Sequence, residues 1–136
     1  MQEAFLKPLL RADGVPLTLV NTRSGRILAN HVVGAFDSTS RRKGLLGRDR
    51  FEEGHALVIA PTSAIHMFFM RFAIDVAFIR RDGMVVRAWH SVKPWRIAYA
   101  LGAYAAIELP SGTLRHTETV AGDQLAITGA DRTTIF

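Results

Sequence analysis

Two apolar, β-prone runs, Ile74 to Arg81 and Met84 to Val92, flank Asp82-Gly83, the dipeptide best suited to a two-residue type I′ turn. No other segment restricts the fold so tightly. A two-residue loop at 82 and 83 pairs Arg81 with Met84, and stepping outward pairs Ile79 with Val86, Ala77 with Ala88 and Asp75 with His90. The reading therefore expects an antiparallel hairpin in which Asp75 and His90 face each other.

Other strands are expected on both sides of this hairpin. Val15 to Thr22 and Arg26 to Phe36 form an N-terminal hairpin around Ser24-Gly25, and Ala56 to Ala60 is an apolar run ended by Pro61. Tyr104 to Leu109 reads as a strand stopped at Pro110-Ser111-Gly112, Thr113 to Val120 as a helical turn, and Gln124 to Thr128 as the last strand. Asp37 to Ser40 supplies N-cap candidates for a short helix over Arg41 to Leu46, with Gly47 in the place of a C′ glycine. Val92 to Arg96 leaves the hairpin at Pro94, where a ladder donor is missing, so a turn is expected. Six or seven strands without β-α alternation predict a mainly β chain, a small closed or half-closed barrel-like sheet with one or two short helices.

The chain has 136 residues, 49% of them apolar and 21% charged, which suits one globular domain over 1–136 that needs no covalent staples. It lacks cysteine, and thiolate metal sites, thiol nucleophiles and disulfides go with it. Lys7, Pro8 and Arg11 interrupt the N-terminus before a signal core can form, and His66, Arg71 and Asp75 break the richest apolar stretch. A soluble, cytoplasmic chain without a membrane span is expected. Its 17 basic residues exceed 12 acidic ones, and Arg41, Arg42, Lys43, Arg48 and Arg50 cluster with only Asp49 among them. No aromatic side chains interleave these cations, so nucleic-acid binding through this stretch is not expected and a solvated helix face is.

Chemistry-bearing residues concentrate in His66-Met67-Phe68-Phe69-Met70-Arg71-Phe72-Ala73-Ile74-Asp75. Charges inside so apolar a run must meet partners or border water. Arg71 offers a bidentate fork for a carboxylate or phosphate. Met67, Phe68, Phe69, Met70 and Phe72 read as core packing in preference to a pocket lining. Asp75 with His90 is half of a catalytic triad, but Ser63 and Ser91 lack any nucleophile setting. The histidines at 31, 55, 66, 90 and 116 show no metal-ligand spacing, and no phosphate loop occurs, so neither metal nor cofactor is expected.

Arg42-Lys43-Gly44-Leu45-Leu46-Gly47-Arg48, His66 to Ile79, Asp82-Gly83, Pro94-Trp95-Arg96, Glu108-Leu109-Pro110-Ser111-Gly112 and Gly122-Asp123 together resemble the blocks of the prokaryotic domain-of-unknown-function 192 family, over about residues 36 to 128. Ala73 stands where that family typically has proline. The resemblance implies a small, mostly β domain with one short helix, and pattern positions at Gly44, Leu45, His66, Met70, Arg71, Asp75, Glu108, Gly112 and Asp123. It implies no activity. Many members are exported or membrane-tethered, and the N-terminus read above departs from them.

One function is expected, and two others stand behind it as alternatives. The first is a non-enzymatic binding or accessory domain whose cleft, bordered by His66, Met70, Arg71, Asp75, His90 and Arg96, takes a small anionic ligand. The second is a hydrolase using Asp75 and His90 as an acid-base pair. The third is weak nucleic-acid binding through the basic stretch at Arg41 to Arg50.

Overall fold

In the computed structural model, which describes residues 5–11, 16–37 and 45–129, both β6 (Ile74–Ile79) and β9 (Ala105–Pro110) are buried along their whole length. They are antiparallel neighbours at the centre of a five-stranded sheet. Beside β6 lies β7 (Val85–Val92), and beside β9 lies β4 (His55–Ile59), followed at the edge by β3 (His31–Ala35). β3 and β4 run parallel; every other pair in this sheet is antiparallel. Because alternate residues of β6 and β9 point to opposite faces, their continuous apolar sequence supplies two cores at once.

On one face Ala77, Ile79, Ala105, Ile107 and Leu109 pack with Leu19, Leu114, Leu125 and Ile127. That layer belongs to a second sheet, ordered β10 (Leu125–Thr128), β1 (Thr18–Asn21), β2 (Ile27–Ala29), and to the first helix, α1 (Lys7–Arg11). Pro8 stands in the first turn of α1, where its missing N–H leaves no hydrogen bond broken. On the other face Ile74, Val76, Phe78 and Ala106 pack with Ile65, Met67, Met70, Val92 and Ala98. Over that face lies a two-stranded sheet of β5 (Ala64–His66) and β8 (Ile97–Tyr99).

The mainly β architecture with short helices agrees with the expectation, but the sheets are open rather than closed into a barrel. The run Arg26 to Phe36 divides at Asn30: its first half pairs with β1, and its second half crosses to the large sheet as β3. The pair β5–β8 and helix α1 were not expected. The helix anticipated over Arg41 to Leu46 falls largely outside the described residues; Leu45 to Gly47 form a turn.

The Asp82-Gly83 hairpin forms with a longer loop. The Arg80 N–H donates to the Met84 carbonyl and Ile79 pairs with Val85, so the loop is Arg81, Asp82 and Gly83. An irregularity between Phe78 and Ile79 absorbs the extra residue at Val86, after which Ala77 opposes Ala88 as expected. Gly83 adopts φ 91°, and a Cβ there would stand 2.4 Å from Phe5 Cδ1 and 2.8 Å from the Leu125 carbonyl oxygen. Only glycine fits.

Candidate functional site

A second irregularity displaces the predicted Asp75–His90 pair. Ile74 opposes Val92 and Val76 opposes Trp89, so His90 and Ser91 together face the single residue Asp75. Asp75 is fully buried, and its Oδ1 accepts the Ser91 N–H at 2.8 Å. Its Oδ2 accepts the Gly112 and Leu114 N–H groups at 3.1 and 2.9 Å. Those two donors open the short helix α2 (Thr113–His116), whose N-cap Gly112 has no side chain with which to cap it. Asp75 is thus a capping carboxylate brought from another strand. His90 is exposed on β7 and makes no hydrogen bond to it.

The other expected residues separate in the same way. Met70 is buried with Met67 in the apolar layer, so it supports a surface without lining one. His66, Arg71 and Arg96 are exposed and belong to adjoining segments. The Met67 N–H donates to the Arg96 carbonyl, and the Trp95 N–H to the Met67 carbonyl, both at 2.7 Å, which welds the loop after β5 to the turn before β8. Phe69 (φ 65°) and Trp95 (φ 73°) both occupy the left-handed region, which costs a non-glycine residue free energy and persists only where the surroundings enforce it. The result is a ledge from which rings project. Phe69 is 71% exposed and Trp95 58%, with ring centroids 4.8 Å apart. Phe68 lies 5.9 Å from Trp95 and stacks on His66 at 4.6 Å.

The expectation that Phe68 and Phe69 are core fails because the backbone reverses there and turns them outward. Met67 and Met70, on either side, take the buried positions. The same two segments carry Arg71, Lys93 and Arg96, all exposed. The guanidinium of Arg71 hydrogen-bonds the Asp49 carboxylate, bringing the Arg48-Asp49-Arg50 stretch against the ledge. The Phe68 N–H donates to His66 Nδ1 at 3.3 Å, so the neutral imidazole carries its proton on Nε2 and presents a donor.

One buried carboxyl was missed as a site residue. Glu108 opposes Leu57 on one side and Val76 on the other, on the sheet face that carries Ala106 and Phe78. It is 6% exposed, and no described residue gives it a hydrogen bond or ion pair. Desolvation raises its pKa to about 7. A glutamate inside Ala105-Ala106-Ile107-Glu108-Leu109 was the signal available in the sequence. By contrast, Asp123 accepts hydrogen bonds from the Arg23 guanidinium, Asn21 Nδ2 and the Val120 N–H. The Arg23 hydrogen bond, aided by those from Val120 and Asn21, holds its pKa down to about 2.

Among the described residues no three His, Asp or Glu side chains gather closely enough to hold a metal ion, and no helix is long and apolar enough to cross a membrane. A shallow depression of about 300 Å³ lies elsewhere, lined by Arg80, Arg81, Asp82, Gly102, Ala103 and Tyr104. It contains none of the predicted residues.

The model of DUF192, described as an uncharacterised ACR, matches residues 19–127. The chain belongs to the DUF192 family. The match reaches further towards the N-terminus than the sequence blocks did, so the β1–β2 hairpin is part of the DUF192 domain. A protein of unknown function from Novosphingobium aromaticivorans has a similar structure, with a TM-score of 0.70 and 21% identity over 84% of this chain and 87% of that one. A putative transcription regulator from Sinorhizobium meliloti is similar at a TM-score of 0.70 and 24% identity, over 85% and 93%. These likenesses establish the fold of this DUF192 member. No curated protein matches it.

Proposed function

We propose that this DUF192 domain is a non-enzymatic binding or accessory domain that holds a small anionic ligand, or the anionic group of a larger one, on the ledge formed by His66, Arg71, Trp95 and Arg96. The observation that carries the reading is the pairing of two strained, outward-held aromatic residues with cations from the same two segments. Strained backbone that displays side chains to solvent stabilises nothing by itself, and such strain clusters where a ligand is clamped. Arg71 brings a planar fork, and His66 Nε2 adds a neutral donor that stays in place as the loop is hydrogen-bonded. Asp75, spent on three N–H groups, and His90, exposed elsewhere, give no support to a hydrolytic pair.

A thermal-shift series with phosphate, pyrophosphate, citrate and acetate tests the reading. Stabilisation should grow with ligand concentration and vanish in Arg71→Gln and Arg96→Gln. If all four anions leave the melting temperature unchanged at concentrations up to tens of millimolar, or if both variants respond like the parent, the proposal is wrong.

A further inference from the structure

The aromatic side chains missing from the described part of the basic stretch, Arg48 to Arg50, are supplied by the fold. Asp49 pairs with Arg71, so the segment that carries Arg48 and Arg50 meets the loop that carries Phe68 and Phe69, and that loop is hydrogen-bonded to the turn that carries Trp95 between Lys93 and Arg96. What the linear sequence separates into a basic run and an apolar run becomes one surface of alternating cations and rings.

We infer that this surface is a docking site for single-stranded nucleic acid, its phosphates lying on Arg48, Arg71, Lys93 and Arg96 and its bases stacking on Phe69 and Trp95. The inference rests on the anion-binding reading and deepens it by naming the ligand. Three observations favour this occupant. Charge is complementary: the acids beside the patch, Asp49 and Glu52, are already paired with Arg71 and Arg50, and the chain carries a net charge of +5. The rings are displayed at fixed positions, since the hydrogen bonds between Met67, Trp95 and Arg96 tie their backbones together; a stacking platform then loses little entropy on binding. The ledge also projects, so it cannot enclose most of a small molecule as ligand pockets do. A strand that lays successive phosphates and bases along it gains affinity by repetition instead. Duplexes hide their base faces in the stack and offer these rings nothing to cover.

Fluorescence anisotropy with a labelled twelve-nucleotide single strand tests the inference, using a duplex of equal length and inorganic polyphosphate as competitors. The single strand should bind at least about tenfold more tightly than the duplex, and polyphosphate should compete poorly, because each stacked base adds about that factor. Phe69→Gly and Trp95→Gly should remove this preference; glycine accepts the positive φ at both positions, so a change of binding is not a change of fold. Circular dichroism and melting temperature of the two variants check that point. Arg96→Gln should weaken binding to all three polyanions and lower its salt dependence. If polyphosphate and duplex bind as tightly as the single strand, or if the glycine variants keep the preference, the nucleic-acid inference falls while the anion-binding reading stands. If none of the three polyanions binds, both fall.

Discussion

Asp75 and Glu108 stand one step out of register across the central strands, Asp75 opposite Leu109 and Glu108 opposite Val76, so the two buried carboxyls occupy opposite faces of the same sheet. Their fates differ accordingly. Asp75 meets three backbone donors on its face, whereas Glu108, between Leu57 and Val76, has no hydrogen-bond partner among the described residues, and burial raises its pKa to about 7.

Glu108 sets a pH dependence of stability. Its folded pKa, about 7, lies above the unfolded value of about 4.5, so the unfolded state ionises first as pH rises. The contribution of Glu108 is full below about pH 4.5, declines between there and pH 7, and is flat above. The 2.5-unit difference corresponds to a loss on the order of 3 kcal/mol. Urea unfolding of the parent and of Glu108→Gln from pH 4 to pH 9 should give curves that differ by this decline. Parallel curves would contradict it.

Replacing Asp75 strands three N–H donors at once, at the β7 irregularity and at the first turn of α2. Asp75→Ala should cost about 3–5 kcal/mol, judged by the urea midpoint at constant m-value. Hydrogen exchange should accelerate first at Ser91, Gly112 and Leu114. A loss under about 1 kcal/mol would mean that water replaces the carboxylate without penalty.

Gly83→Ala combines positive φ with contacts against the Phe5 ring and the Leu125 carbonyl oxygen, the second of which no side-chain rotation can relieve. A destabilisation of about 2–4 kcal/mol is expected in thermal or chemical melts. The double variant Gly83→Ala with Phe5→Ala should recover only the part due to the ring and leave the positive-φ strain and the clash with the Leu125 carbonyl oxygen. Strict additivity of the two single changes would show that Phe5 is not the obstacle.

Arg23→Gln removes both guanidinium contacts to Asp123, and Asp123 then returns towards an ordinary carboxylate pKa. Since the folded pKa is lowered, this ion pair contributes stability above the unfolded pKa near 3.8 and loses it as pH falls towards 2. The parent should therefore outlast Arg23→Gln in melting temperature at pH 5 and above, and the gap should close in acid. A gap that persists unchanged at pH 2 would assign the effect to packing.

Much of the fold was legible because its signals are local. Alternation and turn residues place β4, β6, β7, β9 and β10 within a residue or two and β1 within three, and Pro110-Ser111-Gly112 announces α2. That the sheets stay open was not, because closure depends on which strands meet, and the crossing of Arg26 to Phe36 from one sheet to another leaves no local mark. The same limit governed the site. Arg71 and Arg96 could be read as polar interruptions, but their union with Phe69 and Trp95 is made by backbone hydrogen bonds between segments about 27 positions apart. A one-residue irregularity opposite Asp75 was enough to turn an expected acid-base pair into a helix cap.

β10 completes the small sheet by pairing along β1, joining Thr18 to Thr128 and Asn21 to Leu125. During synthesis, then, β1 emerges long before β10 exists. The β6, β7 and β9 strands can assemble as they leave the ribosome, but β1 must wait with one edge open until β10 has been made. A nascent chain halted before Leu125 would expose that edge together with Leu19 from the core, and it is there that a chaperone or protease would find its foothold.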